Sequence, residues 1–326
     1  MSCLYKGELI LSDLVKNSNG GTEQMRDRII NNIDKDLLSN VAIHFSRIHQ
    51  IYDDVPNLLY LHDLPQDPEN DKLNDKEFLE KIEKFIFVSH HQKFSYNLVR
   101  NIPYSKSIVI PNGIESPSLG EINDNFGKSY KEDDPIKLIY HTTPHRGLNI
   151  LIPVFNELRK TFNIELDVFS SFKAYGWDRR DEDFKDIFKL IEESEGIRNH
   201  GYQPNHIIIN HLKQSDIFAY PNIWPETSCI SLIEALSYGN ICIHPDYWAL
   251  SETSKGLSQI YDFNEDLNEH GNLFYIELYK SLHSFQKLRN DGSISQVRKN
   301  IALYARSQYN FDQIKTKWIN LLSEYK

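Results

Sequence analysis

Short apolar runs alternate with segments of helical spacing along almost the whole chain. In the first part, Val41–Phe45, Leu58–Leu61, Phe85–Val88 and Ser107–Ile110 read as strands, each followed by a polar or proline-containing loop. Glu23–Ile33, Glu77–Lys84 and Gln92–Arg100 have helical spacing between them. Pro111-Asn112-Gly113 is a turn signal, and the polar, Gly/Ser/Asp-rich stretch 116–135 reads as a linker. The alternation then restarts. Strands are expected at Ile136–Tyr140, Glu165–Ser170, Arg198–Tyr202, Ile217–Tyr220, Ile241–His244 and Gln259–Phe263. Helices are expected at Leu148–Phe162, Phe184–Glu193, Ile207–Gln214 and Ser228–Ser237, with only helix beyond Glu265. Strands alternating with helices imply a parallel sheet wound on both faces. The prediction is an α/β protein of two Rossmann-like domains, residues 1–125 and 126–326, the second ending in helices. Ligands in such sheets sit at the carboxyl ends of the strands, here facing across a cleft.

Composition narrows the function. At 326 residues, two domains are the default, and 40% hydrophobic content marks a globular chain. The net charge of -10 is spread along the sequence, so neither half has the basic excess of a nucleic-acid binder. No apolar run approaches the roughly 20 residues needed to span a bilayer, and MSCLYKGELI lacks the apolar core of a signal peptide. Cys3, Cys229 and Cys242 show no C-x-x-C spacing and leave an odd thiol, which suits a reducing compartment. The expected location is cytoplasmic, or peripheral to a membrane.

The most informative stretch is 218–239, FAYPNIWPETSCISLIEALSYG: a strand, a proline-punctuated loop and a helix opening near Ser228. The first turn of a helix offers unpaired amides and partial positive charge, a seat for phosphate. Ser228, Cys229, Ile230 and Ser231 would present those amides. Glu226 and Glu234 bracket them, and ionised carboxylates suit hydroxyl groups. Phosphate flanked by hydroxyls describes a nucleotide sugar. A lone pair of acids at this spacing also fits a capping residue and a solvated helical Glu.

Other residues carry chemistry too. Gly20-Gly21, ahead of a helix at Thr22–Glu23, lets backbone approach a ligand. His62 lies at the carboxyl end of a strand; Asp63 either orients its imidazole or caps a turn. A His-Asp pair also occurs in metal-dependent phosphohydrolases, but those need further ligands in helical context. Arg146 precedes Gly147 and a long helix, where the macrodipole disfavours a cation, so a functional reason is expected. His141 and His145 are four apart, yet Pro144 between them breaks a metal-binding helix. Cys229 has no His or Asp spaced to activate it.

Taken together, NSNGGTEQM at 17–25, LLYLHDLPQDPE at 58–69, FIFVSHHQK…IVIPNG at 85–113 and the Glu226/Glu234 segment resemble the retaining glycosyltransferases of family 4, which have the GT-B fold. IYHTTPHRGLNIL at 139–151 and HGYQPN…LKQSDIFAYPN at 200–222 fit as well. The resemblance implies a shortened N-terminal acceptor domain and a C-terminal nucleotide-sugar donor domain. It places Gly20-Gly21 over the donor diphosphate, His62 near the donor sugar and Arg146 on the diphosphate. Glu226 falls to the sugar hydroxyls, Glu234 to the ribose, the 228–231 amides to the distal phosphate and Tyr202 to the nucleobase pocket. Cys229 stands where the family often has Gly. Tyr140 or His141 stands where the family usually has a second basic residue, so that one phosphate contact is weaker or protonated His141 supplies it. The implied reaction moves a hexose-type sugar to an acceptor hydroxyl with retention, without a cofactor or obligatory metal; the sequence offers no convincing Asp-x-Asp metal site. The acceptor would be a glycan, a lipid-linked sugar or a small molecule. A catalytically silent nucleotide-sugar-binding protein and a GT-B epimerase are the competing readings.

Overall fold

A computed structural model describes residues 2–11, 20–126, 130–131 and 133–326. The chain forms two compact units: one comprises residues through Glu115 together with Tyr309–Lys326, the other Ser116–Gln308.

The first unit is built on a six-stranded sheet. It opens with a hairpin that the apolar pattern does not announce, Ser2–Tyr5 (β1) and Glu8–Leu11 (β2). Lys6 and Gly7 both have positive φ, 49° and 76°, the twist that a two-residue hairpin turn requires. Ala42–Phe45 (β3), Asn57–Leu61 (β4), Ile82–Phe87 (β5) and Ser107–Val109 (β6) follow, in the order β2-β1-β3-β4-β5-β6. β1 runs antiparallel to both neighbours, and the remaining pairs are parallel. β3 and β4 are buried throughout, which is why both read as continuous apolar runs. The helix expected at Glu77–Lys84 covers only Lys76–Glu80, capped by Asp75, and Ile82 already pairs with Asn57 in the sheet.

The expected boundary at 125/126 moves to 115/116, and the end of the chain returns to the first unit. Its helix Phe311–Ser323 buries Trp318 completely, with the indole edge-on to Tyr60 at 5.0 Å. The Ile114 amide donates to the Tyr309 carbonyl, and the Phe311 amide donates to that of Ile114, each at 2.9 Å.

The second unit contains Ile136–Tyr140 (β7), Ile164–Val168 (β8), Ile197–Asn199 (β9), Ile217–Ala219 (β10), Ile241–Asp246 (β11) and Gln259–Asp262 (β12). The sheet is parallel, ordered β12-β11-β10-β7-β8-β9. Strand order therefore reverses at the β7/β10 pair, the switch point at which open α/β sheets bind ligands. Part of the expected linker is a helix, Leu119–Phe126, because Ile122 finds a buried seat and Ser118 Oγ caps the Glu121 amide. The helices Leu148–Leu158 and Ile230–Ser237 lie beside β7 and β10 in sequence, and Leu148, Leu151, Phe155, Phe218, Leu232 and Leu236 are core residues. Arg298, from the helix Ile294–Tyr309, is buried against Asp216 at 2.5 Å and the Gly239 carbonyl at 2.9 Å. No helix among the described residues is long and apolar enough to cross a membrane.

Replacing Trp318 by Ala is expected to destabilise the protein by about 3–5 kcal/mol, the usual cost of emptying a buried aromatic site. Urea unfolding followed by circular dichroism measures it; a loss below about 1 kcal/mol would contradict this packing role.

Candidate functional site

A glycine sets up the site. The chain leaves β7, makes a 3-10 turn at Pro144–Arg146 and enters the helix Leu148–Leu158 through Gly147 at φ 107°. A Cβ on Gly147 would lie 2.0 Å from the Pro221 carbonyl oxygen, so only a residue without a side chain lets the loops after β7 and β10 touch. That contact sets Arg146 opposite Glu226. Arg146 Nη1 donates to Glu226 Oε1 in a short ion pair, and the Tyr220 hydroxyl donates to the same oxygen at 2.6 Å. Glu226 is buried, and the Arg146 side chain is 19% exposed. Burial alone would lower the guanidinium's pKa, but the Glu226 carboxylate outweighs it and holds Arg146 well above its ordinary value. Arg146 is thus a fixed cation, and its buried Nε has no hydrogen-bond partner among the described residues.

The second element is the start of the helix Ile230–Ser237. It begins two residues later than expected, with Cys229 at the N-cap and no side-chain capping bond. Neither Glu226 nor Glu234 is the capping acid, so that reading fails. Ser231 Oγ donates to the His141 carbonyl at 3.1 Å, tying this first turn to the end of β7. Glu234 is buried rather than solvated, and its Oε1 accepts from Asn205 Nδ2 at 2.9 Å. Asn205 opens the helix Asn205–Leu212, and Tyr202, half-buried, lies in the loop that precedes it. Ser228 is half-buried ahead of the helix. Burial pushes the Cys229 thiol far up, which keeps it protonated and removes it as a nucleophile.

His141, His145 and His62 are held neutral. Burial pushes His141 down to about 3, and its ring lies 4.8 Å from Phe218. A neutral His141 adds no second positive charge, which leaves the weaker phosphate contact of the two alternatives. His145 falls to about 3 through burial and the cations Arg146 and Arg180. In the first unit, burial takes His62 to about 3, with the imidazole edge-on to Tyr60 at 4.3 Å. The Asp63 carboxylate accepts from Arg47 at 3.2 Å. Gly20 is buried at the N-cap of the helix Gly21–Asn32 with φ -74°, so position rather than backbone freedom explains it; residues 17–19 of the glycine loop lie outside the described residues.

Sequence reasoning missed three features. Tyr220 and Asn205 hold the two carboxylates, but only the fold shows which acid each one meets. Asp167, His200 and His211 also come together with ligand atoms within 4.8 Å. Arg198 donates to both oxygens of Asp167, at 2.7 and 3.0 Å, and His200 Nε2 is 2.6 Å from Oδ1. Burial would raise the Asp167 pKa, but Arg198 and His200 take it down to about 2. The carboxylate already has a cation. The trio comes from β8, the end of β9 and the following helix, a spacing no local motif encodes.

Residues 121–256, all in the second unit, match the family model of the glycosyl transferases group 1. No curated protein matches the chain by sequence. Among solved structures, the chain is similar to a glycosyltransferase from Rickettsia africae ESF-5, at 14% identity and a TM-score of 0.65, covering 97% of this chain and 84% of that one. It is similar to Anabaena Alr3699/HepE, solved with UDP and glucose, at 14% identity and 0.60, covering 83% and 72%. The pneumococcal O-GlcNAc transferase GtfA, solved with UDP and GlcNAc, follows at 14% and 0.59, covering 83% and 53%. These likenesses establish the fold as GT-B.

Two outcomes follow from the geometry. Gly147→Ala combines a positive φ with a backbone clash and is expected to cost about 2 kcal/mol or more, measured by urea unfolding. An unchanged midpoint would mean that the two loops are not in contact. For pH, His141 is depressed to about 3, and His244 and His270 to about 4, all mainly by burial. Their stabilisation is complete above the unfolded value near 6.5 and is lost as pH falls towards 4, by at most about 1.4 kcal/mol per unit per group. The urea midpoint should therefore drop between pH 6.5 and 4.5; a flat profile there would contradict burial in the neutral form.

Proposed function

We propose that the chain is a glycosyltransferase that takes a hexose-type sugar from a nucleotide diphosphate donor and retains the anomeric configuration. The observation that carries this reading is the Arg146 cation, locked onto Glu226 at the switch point with Nε unpartnered, beside a helix whose first amides lack a side-chain cap. The group 1 match over residues 121–256 and the GT-B fold support it.

In this reading the diphosphate lies on the 230–231 end of the helix and against Arg146. Glu226 spends Oε1 on Arg146 and Tyr220, which leaves Oε2 for a sugar hydroxyl. Glu234, steadied by Asn205, takes the ribose hydroxyls. As the bond from the anomeric carbon to the phosphate oxygen breaks, positive charge grows on the sugar and negative charge on the diphosphate. Arg146 and the helix amides stabilise that anion without having to reorganise. The acceptor oxygen bonds to the anomeric carbon from the same face, and its proton passes to the departing phosphate oxygen. The products are a glycosylated acceptor and a nucleoside diphosphate. Charge stabilisation by Arg146 and the amides leaves no step that demands a metal. From the first unit, His62 serves as a neutral hydrogen-bonding group and Gly20-Gly21 as backbone donors. Tyr202 belongs to the base pocket, and the acceptor is a glycan, a lipid-linked sugar or a small molecule.

A thermal-shift screen of UDP, GDP, ADP and their sugars, followed by product analysis by NMR, tests the reading. At least one nucleoside diphosphate should raise Tm, and the new linkage should keep the donor's anomeric configuration. No shift with any of them would overturn it; binding without transfer or hydrolysis would instead leave a silent binding protein. Glu234→Ala is expected to weaken nucleotide affinity about tenfold, as a lost charged hydrogen bond implies. Glu226→Gln should lower kcat about 100-fold with nucleotide affinity little changed. Unchanged kinetics in both variants would remove the assignment.

A further inference from the structure

Beside Arg146 lies an aromatic array that the phosphate chemistry does not use. The His145 ring stacks on Phe172 at 5.1 Å and meets Trp224 edge-on at 4.7 Å. The Arg180 guanidinium lies over Phe172 at 4.4 Å and also over Trp177 at 5.6 Å. The two indoles at its ends remain open to solvent, Trp224 at 41% and Trp177 at 53%, whereas Phe172 beneath is buried. We propose that the exposed indoles of Trp224 and Trp177, at the two ends of this array, are stacking positions for the C–H faces of pyranose rings. The proposal rests on the reading of Arg146 and Glu226 as a nucleotide-sugar site.

Three observations point to a sugar ring here. The surface is built stiff, so a ligand does not have to order it. Asn222 brackets Trp224, donating from Nδ2 to its carbonyl at 2.5 Å and accepting from its amide at 3.1 Å, and Pro221 and Pro225 flank the turn. Across from it, Asp181 accepts from the Phe172 amide at 2.8 Å and from Ser171 Oγ at 2.5 Å, fastening the loop after β8. The chemistry is mixed in the way a carbohydrate needs: indole faces for C–H groups, and guanidinium donors for hydroxyls. His145, held neutral between Arg146 and Arg180, adds no charge to the stack.

Position separates sugar from base. Trp224 is two residues from Glu226, His145 adjoins Arg146, and the Tyr175 phenol acts electrostatically on the same guanidinium. The ribose carboxylate Glu234 is instead tied to Asn205, in the segment after β9. The array therefore stands at the sugar end of the diphosphate. A pyranose ring there belongs to the donor or to the acceptor, and two arms of one experiment distinguish them.

The full chain is compared with Trp224→Ala and Trp177→Ala. Calorimetry with the free nucleoside diphosphate, calorimetry with its sugar, and the KM for acceptor are measured on each. Free nucleotide should bind all three proteins alike. Affinity for the nucleotide sugar should fall about two- to tenfold if the ring is the donor's. The acceptor KM should rise by a similar factor if it is the acceptor's. Trp→Phe at either position should recover part of the loss, which a merely structural role would not require. Should an Ala variant fail to fold, the wild type still decides: the nucleotide sugar or acceptor must shield indole fluorescence from acrylamide beyond what the nucleotide alone does, and absence of that shielding overturns the proposal. Wild-type protein that binds no nucleotide at all defeats the underlying site instead. Nucleotide binding in all three proteins, with sugar affinity and acceptor KM unmoved, defeats the stacking surface alone.

Discussion

The arrangement of the second unit depends on the place where two loops press together through a missing side chain. β7 and β10 are neighbours at the reversal in strand order, so the loops that follow them leave the sheet side by side. Gly147 lets the first exit lie directly on the Pro221 carbonyl of the second. Once they touch, the cation at the end of one loop and the acid on the other must meet, and Tyr220 fixes the acid from below. A buried pair of this kind is weak evidence for stability, since desolvation offsets most of the attraction. Its effect is positional: it holds a full positive charge still at the mouth of a short helix.

Charge in this unit is sorted by burial. Arg146 stays ionised because its counter-charge is buried with it, while burial, joined at His145 by the cations Arg146 and Arg180, holds His141 and His145 neutral. The site is therefore built on one buried ion pair, Arg146 with Glu226, with neutral imidazoles beside it. Arg198 does the corresponding work at Asp167, filling with a guanidinium a cluster that would otherwise invite a metal ion.

The alternation of strands and helices was legible because each element carries its own period, and the parallel sheet follows from it. What escaped was decided by distant partners. The β1–β2 hairpin depends on two left-handed residues, one of them a lysine, in a segment too short for periodicity. The helix at Leu119–Phe126 looks like linker until Ile122 has a pocket. In the site, Arg146, Glu226 and Glu234 stood out by residue type and spacing. The partners that hold them did not, because hydroxyl and amide side chains are common and only the fold selects which acid each one meets. His141 misled for a related reason: its protonation is governed by burial, a tertiary property that spacing does not carry.

The helix Phe311–Ser323 has a consequence for biogenesis. The first sheet receives Tyr60's indole neighbour only after the whole intervening unit has been synthesised, since Trp318 belongs to the closing helix. At about 5–20 residues per second, that delay is on the order of 10–50 seconds on the ribosome. Until then Tyr60 lacks its buried aromatic neighbour, whereas the unit Ser116–Gln308 is already fully synthesised and can finish folding first.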